Sequence, residues 1–299
     1  MYKHLLDFLK EQDVEYYRNY KLREKSSIGI GGEADIAVFP KNEEVFVLLL
    51  KFLCENNLKF KLVGNLTNIL ISDDGFCGAI LFTSKIKNYC VAENRLHISA
   101  GASLSSVIQR IAKEGYTGLD KLYGIPGSVG GMVYNNAGAY GMSVSDCLLE
   151  GRVFSKTERK IKIFKNSDFA FSYRNSILQG GEYILVDAVF SLVRDDPRKI
   201  NSSLKDIIAK RQASQPIKER SLGSVFKRHN IAPVSLLIDN AGLKGRRVGD
   251  AVVSEKHAGF IVNVGNATAR DVQDLISLIS RELNEKYGII PETEIEFLG

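Results

Sequence analysis

The sequence predicts an α+β fold of more than one domain, and three observations lead there. The chain has 299 residues with 44% hydrophobic and 25% charged content, enough apolar material for one large soluble domain or two ordinary ones. Strand-like, helix-like and glycine-rich segments alternate through the first 141 residues. Two uncharged turns, 64–68 and 124–141, stand out from this alternation as places where backbone amides could face a ligand.

Residues 3–12 read as an amphipathic helix that carries charge throughout, so they are not a secretory leader. Gly29 to Ala34 contains a formal G-x-G-x-x-A. A dinucleotide-binding turn of that type needs a strand before it and a helix after it. Here a polar segment precedes and a strand ended by Pro40 follows, so a tight turn into a strand is expected instead. Residues 43–57 have helical periodicity, while 59–63 and 69–72 read as strands. Gly64, Asn65, Leu66, Thr67 and Asn68 form the turn between those strands. Asn and Thr side chains in such a turn bond local backbone and leave amides aimed outward.

Strands are expected at 78–83 and on both sides of Glu93-Asn94, which closes a hairpin. Residues 103–114 form a helix with Ser103 as N-cap and Gly115 as the stop. Strands follow at 148–154, 159–164 and 183–193. Asp195-Asp196-Pro197 breaks the last of these and opens a helix to about residue 214. The domain boundary is placed there, dividing 1–195 from 196–299. The second part holds a helix over 233–241, a polar loop at 254–257 and a strand at 260–263. A long helix then opens at Thr268 with Asp271 three residues on, a capping-box pattern, and a strand at 292–298 follows.

The stretch 124–141 reads GIPGSVGGMVYNNAGAYG, with six glycines in eighteen residues and no charge between Leu122 and Ser145. Amides at a glycine-rich helix start can hold an anion without Lys or Arg. A tight structural turn would have the same composition, so both readings stand at this point.

Net charge is +5 with both signs interleaved, which favours small anionic substrates and gives nucleic acid no basic block to bind. The densest basic cluster, Lys244 to Arg247, is short and lacks aromatic neighbours. Cys54, Cys77, Cys90 and Cys147 are scattered without metal-ligand spacing, so no zinc or iron–sulfur site is expected. Free thiols in a large domain fit a reducing cytosol. The longest apolar run, 45–50, is far too short to cross a bilayer. No obligate protein partner is called for by any motif.

Five stretches occur in a fixed order: LYGIPGSVGGMVYNNAGAYG, SYRNS, GSVFKR, AGLKGRRVGDAVVSEKHAGFIVNVGNAT and ETEIEFLG. Together they resemble the UDP-N-acetylenolpyruvoylglucosamine reductase family, flavoenzymes that complete UDP-N-acetylmuramic acid for bacterial peptidoglycan. The resemblance runs from about Ser26 onward, and the length resembles the shorter of the family's two forms. It implies a flavin-binding region of two α+β subdomains, of the vanillyl-alcohol-oxidase-like (PCMH) type, dividing near 64–70, plus a C-terminal α+β substrate-binding domain. It also implies non-covalent FAD, NADPH as reductant, and UDP-N-acetylglucosamine enolpyruvate as substrate. The FAD would lie on Gly64, Asn65, Thr67, Asn68, Ile69 and Leu70, and on Gly124, Pro126, Gly127, Ser128, Gly130, Gly131, Asn135, Ala137 and Gly138.

Ser224, in GSVFK, resembles the family's proton donor. Arg174, in SYRNS, and Glu294, in ETEIEF, resemble the pair that polarises the enolpyruvyl group. The residue types suit the chemistry that the resemblance implies. Hydride addition to an enol ether builds negative charge on the substrate carboxylate, which a cation and a hydrogen-bonding acid stabilise as it develops. The carbon left behind then needs a proton from a correctly placed donor. Tyr173, Lys227, Arg228, Lys256 and His257 are expected near substrate or NADPH. Without the family, Ser224 reads as a turn serine, Arg174 as a solvated arginine, and His257 as a hydrogen-bonded structural residue.

Several positions depart from the family pattern. Leu66 stands where a small residue is usual, and Gly29 replaces a long or polar one. Arg220 and Leu222 stand for Pro and Ala, and His229 for Pro. An FAD-dependent oxidase on the same flavin domain is the alternative activity, but no His or Cys flavin-attachment signature is present.

Overall fold

The computed structural model describes residues 2–299. They fall into two compact units that are not contiguous in sequence. The first comprises the chain up to Arg18, Ile36–Asn65 and Gly78–Ala209; the second comprises Asn19–Asp35, Leu66–Cys77 and Lys210–Gly299. A single cut at residue 195 therefore differs from the observed division on two counts. The helix Pro197–Ser214 buries Ile200 and Leu204 in a core of the first unit, which carries that unit on to Ala209. Two early segments join the C-terminal third through long-range pairing that leaves no local trace in the sequence.

The first unit has two cores. One lies under the helices Lys3–Glu11 and Glu43–Glu55. Asn42 caps the second helix by accepting from the Val45 amide at 2.9 Å, and Glu43 and Glu44 complement the dipole in its first turn. Phe46, Leu49, Leu50 and Leu53 recur at three- and four-residue spacing and are fully buried, each contributing about 1.5–3 kcal/mol by transfer from water. Phe8 stacks on Phe52 with ring centroids 4.3 Å apart, joining the two helices. Beneath them, Phe60–Val63 pairs in parallel with Ala79 to Phe82.

The other core lies on an antiparallel sheet ordered Lys160–Lys165, Leu148–Ser155, Tyr183–Ser191, Arg95–Ser99 and Tyr89–Ala92. Its last two strands are the hairpin expected at Glu93-Asn94. Both turn residues are left-handed, the conformation that a two-residue hairpin of matching twist requires. The helix expected over 103–114 is α-helical only through Leu104–Ile111; Ala112–Glu114 tightens into a 3-10 turn before left-handed Gly115.

The second unit holds the antiparallel sheet Ser221–Ser224, Phe260–Asn263, Ala251–Val253 and Arg247–Val248, packed on the helices Val234–Asn240 and Ala269–Tyr287. Thr268 and Asp271 form the expected capping box. The Asp73 carboxylate adds to it, accepting from Ala269 N at 3.0 Å and Arg270 N at 3.3 Å. The strand expected at 292–298 is regular only over Glu296–Leu298. Its earlier residues pair elsewhere, because Lys227 N donates to Glu292 O at 2.9 Å and Glu294 N to Val225 O at 2.7 Å.

A strand at Glu15–Lys21 does precede the G-x-G-x-x-A turn, contrary to the polar segment expected there, but the strand Glu33–Phe39 and no helix follows. Close packing explains the turn's glycines: a Cβ on Gly32 would lie 2.3 Å from the Asp73 carbonyl oxygen. Among the described residues, no helix is long and apolar enough to cross a membrane.

Candidate active site

In the first unit, most amides of the glycine-rich stretch are already engaged. Gly124 N donates to Ser105 Oγ at 2.9 Å, Val129 N to Ala102 O at 2.9 Å and Gly130 N to Ala100 O at 2.7 Å. Ser128 caps the short helix Val129–Tyr134 by accepting from Gly131 N at 3.3 Å. The amides of Gly127 and Ser128, and those of Tyr140 and Gly141 at the tip of the following hairpin, have no acceptor among the described residues. The expected run of bare amides is thus reduced to two separate adjacent pairs on a mostly bonded scaffold. The reason is geometric: a helix start folded against a loop gives its first donors to that loop's carbonyls. Gly64 comes so close to this scaffold that a Cβ there would lie 2.2 Å from Ser128 Oγ. The amide of Asn65, beside it, also lacks an acceptor among the described residues.

Arg174 stands on a turn anchored to the same scaffold. Ser172 and Asn175 exchange two backbone bonds, both 3.2 Å, and Arg174 between them is left-handed at φ 55°. Asn136 Nδ2 donates to Ser172 O at 2.9 Å and Ser176 Oγ to Tyr134 O at 2.7 Å. The guanidinium donates to Gly138 O at 3.2 Å and lies 5.1 Å from the half-exposed Tyr173 ring. A non-glycine residue held left-handed by four such ties marks a position where backbone strain is maintained by its surroundings. Asn135, Pro126 and Ala137 lie along the same scaffold, Ala137 N donating to Met132 O at 2.8 Å.

In the second unit, Leu66–Leu70 runs beside the segment that carries Glu294. Leu66 is left-handed at φ 50° yet buried, and its carbonyl accepts from Ser27 N at 3.2 Å. The amides of Thr67 and Asn68 have no acceptor among the described residues. Asn68 Nδ2 donates to Glu294 O at 3.1 Å, and Ile69–Ile71 pairs in parallel with Glu296–Leu298. Ser224 ends its strand after left-handed Gly223, and Val225 follows it, donating to Gly259 O at 2.8 Å. Since Val225 O accepts from Glu294 N, the proton-donor candidate and the acid candidate flank one backbone hydrogen bond. The residues 66–70, 224 and 294 are therefore gathered in one unit, while Arg174 belongs to the other.

The remaining substrate candidates have varied settings. Lys227 pairs with Glu292, and Lys256 Nζ donates to Gln212 O. Arg228 is exposed. His257 Nδ1 accepts from Gly259 N at 3.1 Å, and its ring packs edge-on to Phe260. Burial first, and Lys244 secondarily, holds its pKa below the ordinary imidazole value, against the opposing effect of a bond to its own backbone. Gly29 and Arg220, two of the departures, meet: a Cβ on Gly29 would lie 3.3 Å from Arg220 Nη1, so the arginine fills the space that a side chain at 29 would take. Sequence reading missed Ser27 and Asp73, whose partners lie 39 to 197 residues away.

The family model described as an FAD binding domain matches residues 34–162, and the model for the UDP-N-acetylenolpyruvoylglucosamine reductase C-terminal domain matches 215–298. These two matches define a flavoprotein oxidoreductase of α+β architecture. The UDP-N-acetylenolpyruvoylglucosamine reductase of Caldicellulosiruptor bescii is 39% identical over 98% of this chain and 93% of its own. That of Petrotoga mobilis is 37% identical over 99% and 96%. The crystal structure of the Thermus caldophilus reductase superposes with a TM-score of 0.81 at 29% identity, over 96% of this chain and 99% of that one. The chain belongs to the UDP-N-acetylenolpyruvoylglucosamine reductase family.

Proposed function

We propose that this chain reduces UDP-N-acetylglucosamine enolpyruvate to UDP-N-acetylmuramate with NADPH as reductant and FAD as bound cofactor, in peptidoglycan precursor synthesis. The structural observation that carries the reading is the hydrogen bond from Glu294 N to Val225 O, which ties the segments bearing Glu294 and Ser224 to one another. In the first unit the amides of Asn65, Gly127 and Ser128 have no acceptor among the described residues, which supports main-chain contacts to a cofactor that carries a pyrophosphate. We assign cofactor contacts to the two stretches 64–70 and 124–138, and substrate contacts mainly to the C-terminal segment of the second unit, from residue 210 on. When bound, FAD supplies the hydride relay between the two substrates.

The chain's own residues supply the rest. Arg174 offers a permanently charged guanidinium to the enolpyruvyl carboxylate. Glu294 stabilises the charge that builds on that group during the reaction. Ser224 Oγ delivers the proton to the carbon next to the carboxylate, and its fixed face sets the configuration of the product. Tyr173, Lys227, Arg228, Lys256 and His257 are assigned to the nucleotide-sugar or NADPH. Scattered free cysteines and water-soluble nucleotides support a cytosolic setting for the reaction.

The test is an absorbance spectrum with separated half-reactions. The purified chain is expected to show a flavin band that NADPH bleaches and the enol ether restores. Ser224→Ala is expected to leave bleaching intact and slow restoration by about 10²–10⁴-fold, the usual worth of a positioned acid. A colourless protein that takes up no FAD would refute the reading, and equal loss in both half-reactions would refute the role of Ser224.

A further inference from the structure

Within the second unit, Glu294 is fixed from both sides of its backbone. Its N–H donates to Val225 O at 2.7 Å, and its carbonyl accepts from Asn68 Nδ2 at 3.1 Å. Asn68 grips the next residues too, since its own carbonyl accepts from Glu296 N at 2.9 Å. Ser27 braces the turn that presents Asn68: its N–H and Oγ both reach Leu66 O at 3.2 Å, and its Oγ also reaches Ser221 O at 2.6 Å. The side chain of Asn68 is thus committed to Glu294, while its main-chain N–H has no acceptor among the described residues.

We propose that Asn68 is a positioning residue for Glu294: its carboxamide holds the peptide that follows Glu294, and with it the carboxylate, while its backbone N–H faces the cofactor. The inference rests on Glu294 acting in the second half-reaction. A buried or half-buried carbonyl that loses its donor rotates to find another, and a shift of about 1 Å in a reacting group can cost on the order of 10²-fold in rate.

The test uses full-length holoenzyme with Asn68→Ala, Asn68→Asp, Glu294→Gln and the double variant Asn68→Ala/Glu294→Gln. Asn68→Ala is expected to affect NADPH-driven bleaching, read on the flavin-bearing fraction, far less than re-oxidation. Re-oxidation by the enol ether is expected to slow by about 10–100-fold, with the change in kcat rather than KM. The double variant is expected to be no slower than Glu294→Gln, because both changes remove the same interaction. Amide hydrogen exchange at Glu294 and Glu296 is expected to quicken in Asn68→Ala by about tenfold, which reports on the clamp without turnover. If Asn68→Ala does not fold, Asn68→Asp carries the test, since it keeps the shape and loses the donor.

Loss of FAD with normal turnover in the flavin-bearing fraction would overturn the proposal in favour of a cofactor-holding side chain. Multiplicative losses in the double variant would overturn it as well, with the role of Glu294 intact. Full activity of Glu294→Gln would remove the role of Glu294 and the proposal together.

Discussion

The turn at 64–68 and the stretch at 124–141 invite comparison, because composition ranks them in the wrong order. The longer stretch has six glycines, yet the donors of Gly124, Val129, Gly130 and Gly131 serve Ser105, Ala102, Ala100 and Ser128, and most of its amides are engaged in this way. The shorter turn has one glycine and leaves the amides of Asn65, Thr67 and Asn68 without acceptors among the described residues. Glycine content reports how closely backbones approach, whereas an available anion site is found only by following each donor to its acceptor.

The comparison can be broken most forcefully at Leu66. Leu66→Ala removes a buried side chain and is expected to cost about 2–5 kcal/mol, seen as a lowered midpoint in urea and as loss of FAD on gel filtration. Retained FAD and stability would mean that this turn does not owe its shape to Leu66. Gly64→Ala probes the place where the turn meets the glycine-rich scaffold. Ser128 must rotate away from the new Cβ and abandon the Gly131 amide, at an expected total of about 1–3 kcal/mol. Ser128→Ala removes only the cap, about 1 kcal/mol, and is expected to leave FAD stoichiometry unchanged if the stretch is chiefly scaffold. Thermal melting of the two variants side by side would separate the contact from the cap.

The smallest effect concerns pH. Burial depresses the pKa of His257, so the unfolded chain binds a proton more readily than the folded one below the ordinary imidazole value of 6.5. Stability contributed by neutral His257 is present above that value and is lost as pH falls toward the depressed folded pKa. The midpoint of urea unfolding is expected to drop between pH 7 and 5.5, and to drop less in His257→Asn. A parallel fall in both proteins would assign the effect to other groups.

Local chemistry was legible in the sequence wherever one turn of chain suffices to state it. Ser103 and Thr268 cap their helices, and Glu93-Asn94 closes its hairpin, because each is decided by residues within four positions. The strand Glu15–Lys21 escaped notice because its alternation carries Tyr and charge on both faces, as an edge strand permits. The strands Arg247–Val248 and Ala251–Val253 are too short for periodicity to register. The motif letters pointed to Ser224, Arg174 and Glu294 separately. That Ser224 and Glu294 share a unit with Leu66–Leu70 depends on pairing across more than two hundred residues, which no window of sequence contains.

The parallel pairing of Ile69–Ile71 with Glu296–Leu298 also bears on how the protein is born. Asn68 leaves the ribosome 226 residues ahead of Glu294, a wait of roughly 11–45 s at ordinary translation rates of about 5–20 residues per second. Throughout that interval an apolar Ile-Leu-Ile strand lacks its neighbour, and the first unit is itself complete only once Ala209 has been made, so the nascent chain should draw on a chaperone while both units wait for their later segments.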